Sequence, residues 1–178
     1  MRIQELLTLQ PKVVKEVPSD GLWFQHQSSK ELQVLKPLSY KKLSSVRNSA
    51  YPIKDRIDTE KKYKKLVNSK NGYSFLYATI VGKNKMKSPL NYPGYTYFFK
   101  LSSKQLNSVI FDIVDIDKHM EPTIGMDGLN KSLVIWDKLH HQFKRQKDNS
   151  GEEIDPRIEV VIPFTVIPNL VIPHEEDR

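Results

Sequence analysis

The sequence predicts a single α+β domain, a mixed or antiparallel β-sheet core with a few flanking helices, and three observations predict it. Several short stretches alternate apolar and polar residues, or run apolar throughout, as strands do. One later stretch repeats its apolar residues at helical spacing. Between them there is no regular alternation of strand and helix, which a doubly wound parallel sheet would require. A chain of 178 residues suits one domain with a substantial core, carrying a basic insert at about residues 36–72.

Taken in order, "IQELLTLQ" reads as a short element stopped by Pro11, and "KVVKEV" as an extended piece ended by "PSDG". The turn at Ser19, Asp20 and Gly21 leads into the first convincing strand, "LWFQHQS". Period two places Leu22, Phe24 and His26 on one side of it and Trp23, Gln25 and Gln27 on the other. "SKELQVLKP" is mixed, a turn and then a short strand closed by Pro37. Residues 39–71 are polar, basic and broken by Pro52, an elaborated loop with one or two helices. Thr59 is placed to cap a short helix carrying Tyr63, Leu66 and Val67, which "NSKNG" ends.

"YSFLYATIV" returns to strand composition, with Phe75, Tyr77 and Thr79 on one face and Leu76, Ala78 and Ile80 on the other, so it is a central strand. The loop "GKNKMKSPLNYPG" separates it from the aromatic strand "YTYFFKLS". In "SVIFDIVDID", Val109, Phe111 and Ile113 alternate with Ile110, Asp112 and Val114, a further strand. "HMEPTIGMDGLN" is irregular, and the helix follows: Leu129, Leu133, Trp136, Leu139 or His140, and Phe143 share a face, with basic residues gathering toward the C-terminal end. "DNSGEEIDP" breaks it. The tail gives strands at residues 158–162 and 165–167, and a third piece at 170–172.

Charge adds a constraint on partners. The 28 Lys and Arg outweigh 21 Asp and Glu, and residues 36–70 hold eleven basic residues against Asp55, Asp58 and Glu60. A local field of that sign favours RNA, DNA or an acidic protein surface, and equally describes a solvated lysine-rich face. No stretch reaches the roughly 18 uninterrupted apolar residues of a membrane span, and the N-terminus shows no secretory signal, so no membrane partner is expected. Absence of cysteine excludes disulfides and thiolate metal sites and suits a cytoplasmic protein. Phosphate-loop, dinucleotide-fold, zinc-protease and nucleophile-elbow motifs are all missing. His119 and the adjacent His140 and His141 make no metal site, because neighbouring helical residues point about 100° apart and no carboxylate matches their spacing.

Three patches carry a resemblance. The early strand "FQHQS" followed by "ELQVLKP", the middle strand "FLYAT" and the late strand "RIEVVIP" resemble, in order and content, the elements of ADP-ribosyltransferase-like proteins of the His-Tyr-Glu class. This superfamily includes diphtheria-toxin-like and poly(ADP-ribose)-polymerase-like enzymes. The resemblance implies a split sheet and NAD as substrate, with no metal. It implies that His26 bonds a ribose, that the backbone at Gln27 and Ser28 pairs with the nicotinamide carboxamide, and that Tyr77, with Thr79 beside it, lines the nicotinamide. It gives Glu159 the ribose 2′-hydroxyl and the cationic sugar that forms when the glycosidic bond breaks. Gln27 stands where the family carries glycine, and no helix is evident after Thr79.

Each residue also has a plainer reading. His26 serves equally as a core histidine with a satisfied ring, and Tyr77 as a core aromatic. Glu159 is the most informative, a carboxylate among Ile158, Val160, Val161 and Ile162 that needs a partner or a purpose, and Arg157 on its own face offers the partner. The alternative to an enzyme is a basic nucleic-acid-binding module in which Tyr40, Tyr51, Tyr63 and Tyr73 stack bases among the lysines.

Overall fold

A computed structural model describes residues 10–46, 53–69, 71–83, 93–114, 116, 120–144, 146–147, 149–151 and 155–175. Its frame is an α+β fold. The strands are β1 (Lys12–Val13), β2 (Phe24–Ser28), β3 (Leu76–Ile80), β4 (Gly94–Phe99), β5 (Ile110–Val114), β6 (Thr123–Ile124), β7 (Arg157–Ile162) and β8 (Leu170–His174). Among the described residues the helices are α1 (Tyr40–Val46), α2 (Ile53–Leu66), α3 (Ser103–Leu106) and α4 (Gly125–Gln142). The strands form one sheet in the order β1-β8-β4-β2-β3-β7-β5-β6. Among these strands only the β1–β8 pair is parallel, so the sheet is mixed.

Strand alternation divides the side chains between two faces as the sequence predicts. The first face carries Phe24, Ala78, Ile80, Tyr97, Phe99, Phe111, Ile113, Ile158 and Val160, joined from α4 by Leu129 and Trp136 in one buried cluster. Phe24 and Phe99 stack with ring centroids 5.7 Å apart. The Trp136 indole satisfies its N–H on the Pro156 carbonyl at 2.6 Å, so the ring is buried at no polar cost. The second face is built around α2, and its smaller cluster holds Tyr63, Phe75, Ile110 and Val161.

Several boundaries differ from the sequence expectation, each for a local reason. Helix α2 starts at Ile53, six residues ahead of the expected Thr59 cap. The spacing that supports it is ionic: Arg56 with Glu60 at 3.5 Å and Asp58 with Lys61 at 3.0 Å are (i, i+4) and (i, i+3) pairs, invisible to a search for apolar stripes. Helix α3 lies between two expected strands and is opened by a capping box, Ser102 Oγ accepting from the Gln105 N–H and Gln105 answering on the Ser102 N–H. Within the "irregular" stretch, Thr123 and Ile124 pair with β5, and Gly125, at φ +77°, turns the chain directly into α4. The piece at 165–167 reduces to a single bridge between Val166 and Leu35.

The piece at 170–172 is a strand of five residues that runs through Pro173. It is tolerated because β1 pairs with β8 only at Leu170 and Val171, leaving Pro173 on an open edge where no ladder donor is needed. At the centre of the sheet, β2 pairs with β4 along its whole length, whereas its ladder to β3 stops after Phe24 and Gln25. From His26 onward the two central strands part.

Candidate functional site

The strands that carry His26, Tyr77 and Glu159 are β2, β3 and β7, consecutive in the sheet. Register then fixes which side chains are neighbours. Gln25 pairs with Thr79, Thr79 with Glu159, and Glu159 with Asp112. Directly paired residues leave the same face with Cβ atoms roughly 5 Å apart. A transverse polar row, Gln25–Thr79–Glu159–Asp112, therefore crosses four strands in the middle of the second face. Arg157 lies on this face two residues from Glu159, with its guanidinium 3.6 Å from the Glu159 carboxylate. Glu159 keeps 22% of its side chain in solvent, whereas Gln25 and Asp112 at the ends of the row are buried, so the row is reachable from outside at Glu159.

Helix α2 borders the row and is held to the sheet by carboxylates. Glu60, fully buried, accepts hydrogen bonds from Tyr40 Oη at 2.7 Å, Ser74 Oγ at 2.8 Å and Tyr77 Oη. Arg56 Nε donates to Ser74 Oγ at 3.0 Å, and its guanidinium lies 5.1 Å over the Tyr77 ring. Asp112, 3% exposed, accepts from Tyr63 Oη at 2.5 Å and pairs with Lys62 Nζ at 3.4 Å. Both bonds run between helix and sheet in opposite senses: a helix carboxylate takes a sheet phenol, and a sheet carboxylate takes a helix phenol. Burial first, then the bonds to Glu60 and Asp112, push the Tyr40, Tyr63 and Tyr77 hydroxyls above the usual phenol range, so all three stay protonated and donate. The negative charge of Glu159 acts on Tyr63 and Tyr77 in the same direction.

His26 leaves the other face. It follows Phe24 by two residues, and its Nδ1 lies 2.6 Å from the Tyr77 carbonyl oxygen. A carbonyl only accepts, so Nδ1 carries the proton and the Nε2 lone pair is left for another donor. Burial lowers the His26 pKa from 6.5, with the Tyr77 carbonyl opposing, and the ring is neutral at neutral pH. The imidazole thus ties β2 to β3 just where their ladder ends. The three expected site residues come from neighbouring strands, but the side chains of Tyr77 and Glu159 share one face and that of His26 departs from the opposite one. Gln27 is exposed and Ser28 half-buried on the stretch of β2 that β3 has released. The start of β4 presses on it: a Cβ on Gly94, whose φ is +155°, would meet the Ser28 carbonyl oxygen at 2.5 Å. The Tyr77 hydroxyl is committed to Glu60 rather than open to a ligand.

The sequence reading leaves Asp112, Glu60 and Lys62 out of the site, and Tyr63, read there as a base-stacking aromatic, is instead 3% exposed with its hydroxyl on Asp112. Asp112 gives the same signal as Glu159, a carboxylate inside an apolar strand. Glu60 gives none, because in "DTEKKYKK" it is surrounded by charged residues that do face water. Of the remaining histidines, His140 stacks on Trp136 at 4.6 Å and His141 lies 3.7 Å from Asp137; His119 lies outside the described residues, as does Tyr51. A recess of about 220 Å³ lies at the far end of β7, bounded by Pro163 and Phe164; the Lys64 ammonium on its wall is engaged by the Asn71 side chain and the Tyr73 carbonyl. No helix among the described residues is long and apolar enough to cross a membrane. No family model, curated protein or solved structure matches the chain.

Proposed function

We propose that the chain is an ADP-ribosyltransferase-like protein that consumes NAD and passes the ADP-ribosyl group to a macromolecular acceptor. The observation that supports this reading is Glu159: a partly exposed carboxylate between Ile158 and Val160 in a strand whose other charged residue is Arg157, in a polar row shared with Thr79, on the strand next to the one bearing Tyr77. In the reaction the bond from ribose C1′ to the nicotinamide nitrogen breaks, and nicotinamide leaves with the electron pair. The acceptor nucleophile then bonds C1′ and loses its proton. Glu159 accepts a hydrogen bond from the ribose 2′-hydroxyl and stabilises the positive charge that develops on the sugar, a charge a fixed carboxylate meets without reorganisation. Thr79 supplies a hydroxyl beside it. The backbone at Gln27 and Ser28, free of β3, pairs with the carboxamide, and His26 acts as a positioning residue by fixing the Tyr77 backbone at the parting of the strands.

Incubation of the purified chain with NAD should release nicotinamide, and Glu159→Gln should reduce that release by about 10²-fold or more while far-UV circular dichroism and thermal unfolding stay those of the parent. Folded parent protein that neither binds NAD nor releases nicotinamide with nucleic-acid or protein acceptors present overturns the reading.

A further inference from the structure

The lysines of α1 and α2 form a path that ends at the proposed site. At 100° per residue, Lys54, Lys61 and Lys65 fall within about 40° of one another on the solvent side of α2, roughly 10 Å and 6 Å apart along its axis. Lys61 is 73% exposed, and Lys54 and Lys65 are exposed as well. On one flank α1 packs against α2 through the Tyr40–Glu60 bond and adds the exposed Lys41 and Lys42. On the other flank Lys62, 41% exposed, reaches Asp112, the direct neighbour of Glu159. Lysines outnumber the acids they face: Glu60 is buried in its hydroxyl cage, and Asp55 and Asp58 are the exposed carboxylates of α2, Asp58 paired with Lys61.

Two features bear on the kind of anion. The only arginine of α2, Arg56, is turned inward with 16% of its side chain exposed, so the charge on the outer side of this helix is carried by lysine ammonium groups, point charges that meet phosphates without a fixed fork geometry. Tyr73, 52% exposed, borders the path where its carbonyl meets Lys64 and its backbone bridges Ser39. Lysines that neutralise phosphates regardless of sequence, beside an exposed aromatic face, are the means by which single strands are held. We propose that the α1–α2 surface binds a single-stranded nucleic acid, its phosphodiester backbone crossing the lysines and a base stacking on Tyr73, and that this strand is the acceptor delivered to Glu159. The acceptor role rests on the reading of the site as an ADP-ribosyltransferase; the binding surface does not.

The test uses the full chain with labelled single-stranded RNA and DNA of one sequence and the matching duplex. Replacing Lys41, Lys54, Lys61 and Lys65 together by Gln should weaken single-strand binding at least tenfold and flatten the dependence of log affinity on log salt by about 0.7 for each phosphate no longer neutralised. Tyr73→Ala should weaken single strands more than duplex. The matched control, Lys104, Lys131, Lys138 and Lys144 to Gln, changes net charge equally on other surfaces and should leave affinity within twofold. Equal weakening by the control set, or competition by polyglutamate or phosphatidylserine vesicles as effective as by RNA, overturns the proposal. Whether RNA or DNA is the acceptor is read from transfer of adenylate-labelled ADP-ribose to each. Lysine-dependent binding without nicotinamide release removes the enzymatic reading and leaves the surface; nicotinamide release with no lysine-dependent binding removes the surface and leaves the enzyme.

Discussion

The two faces of the sheet solve the same problem, covering a β-surface with helix, by opposite means. On the face of Phe24, Phe99, Phe111 and Ile158, hydrocarbon meets hydrocarbon and α4 contributes Leu129 and Trp136. On the face of Glu159, α2 brings Glu60 and Tyr63 inward, and sheet residues Asp112 and Tyr77 receive them. Burying an ionised carboxylate costs several kcal/mol unless its lone pairs are filled, and here hydroxyls and cations fill them. A face needed only for stability has no reason to bear that cost. Beside α2 the polar face keeps Glu159 partly exposed, paired across the strands with Thr79 and Asp112.

The largest effect is expected on the apolar face. Phe99→Ala removes a fully buried ring from contact with Phe24 and should cost about 3–5 kcal/mol in urea unfolding, with every structural probe changing together. A destabilisation under about 1 kcal/mol would mean that this face is not the core of the fold. Next comes the polar face. Glu60→Gln keeps the shape and removes the charge that three hydroxyls and Arg56 address, a loss of about 1.5–3 kcal/mol. Its signature is local: amide exchange should quicken along α2 while α4 stays protected. Equal loss of protection in both helices would erase the contrast between a core and an anchored helix.

The same contrast explains what was legible in the sequence. The apolar face wrote itself in period two, and the division of Leu76, Ala78 and Ile80 from Tyr77 and Thr79 follows from alternation alone. Asp112 and Glu159 stand out because each interrupts an apolar run. Their adjacency does not, since it depends on which residue of β7 pairs with which residue of β5, a property of register that two separate segments cannot announce. Helix α2 is legible around Tyr63 and Leu66, but its start at Ile53 is obscured for the converse reason: its buried residues are a glutamate and a tyrosine, so its inward face looks like its outward one. The grouping of His26 with Tyr77 and Glu159 comes from the resemblance alone, and alternation along β2 sends the imidazole to the other face of the sheet.

The smallest effect concerns that imidazole. His26 is half-buried, and desolvation lowers its pKa from 6.5 as it does that of His174, whose Nε2 lies 2.7 Å from Thr96 Oγ1. A histidine whose folded pKa is depressed takes up its proton more readily when unfolded. Its neutral form therefore contributes full stability above pH 6.5, and the contribution is lost as pH falls below 6.5 toward the folded pKa, by at most about 1.4 kcal/mol per pH unit for each group. His26→Asn retains an N–H for the Tyr77 carbonyl and removes the titration. Between pH 6.5 and 5 the variant should lose stability less steeply than the parent, with His174 supplying the remaining slope, and at pH 8 the two should lie within about 1 kcal/mol. A variant that follows the parent slope would show that His26 is as open to protons when folded as when unfolded, and that the parting of β2 from β3 admits water to the ring.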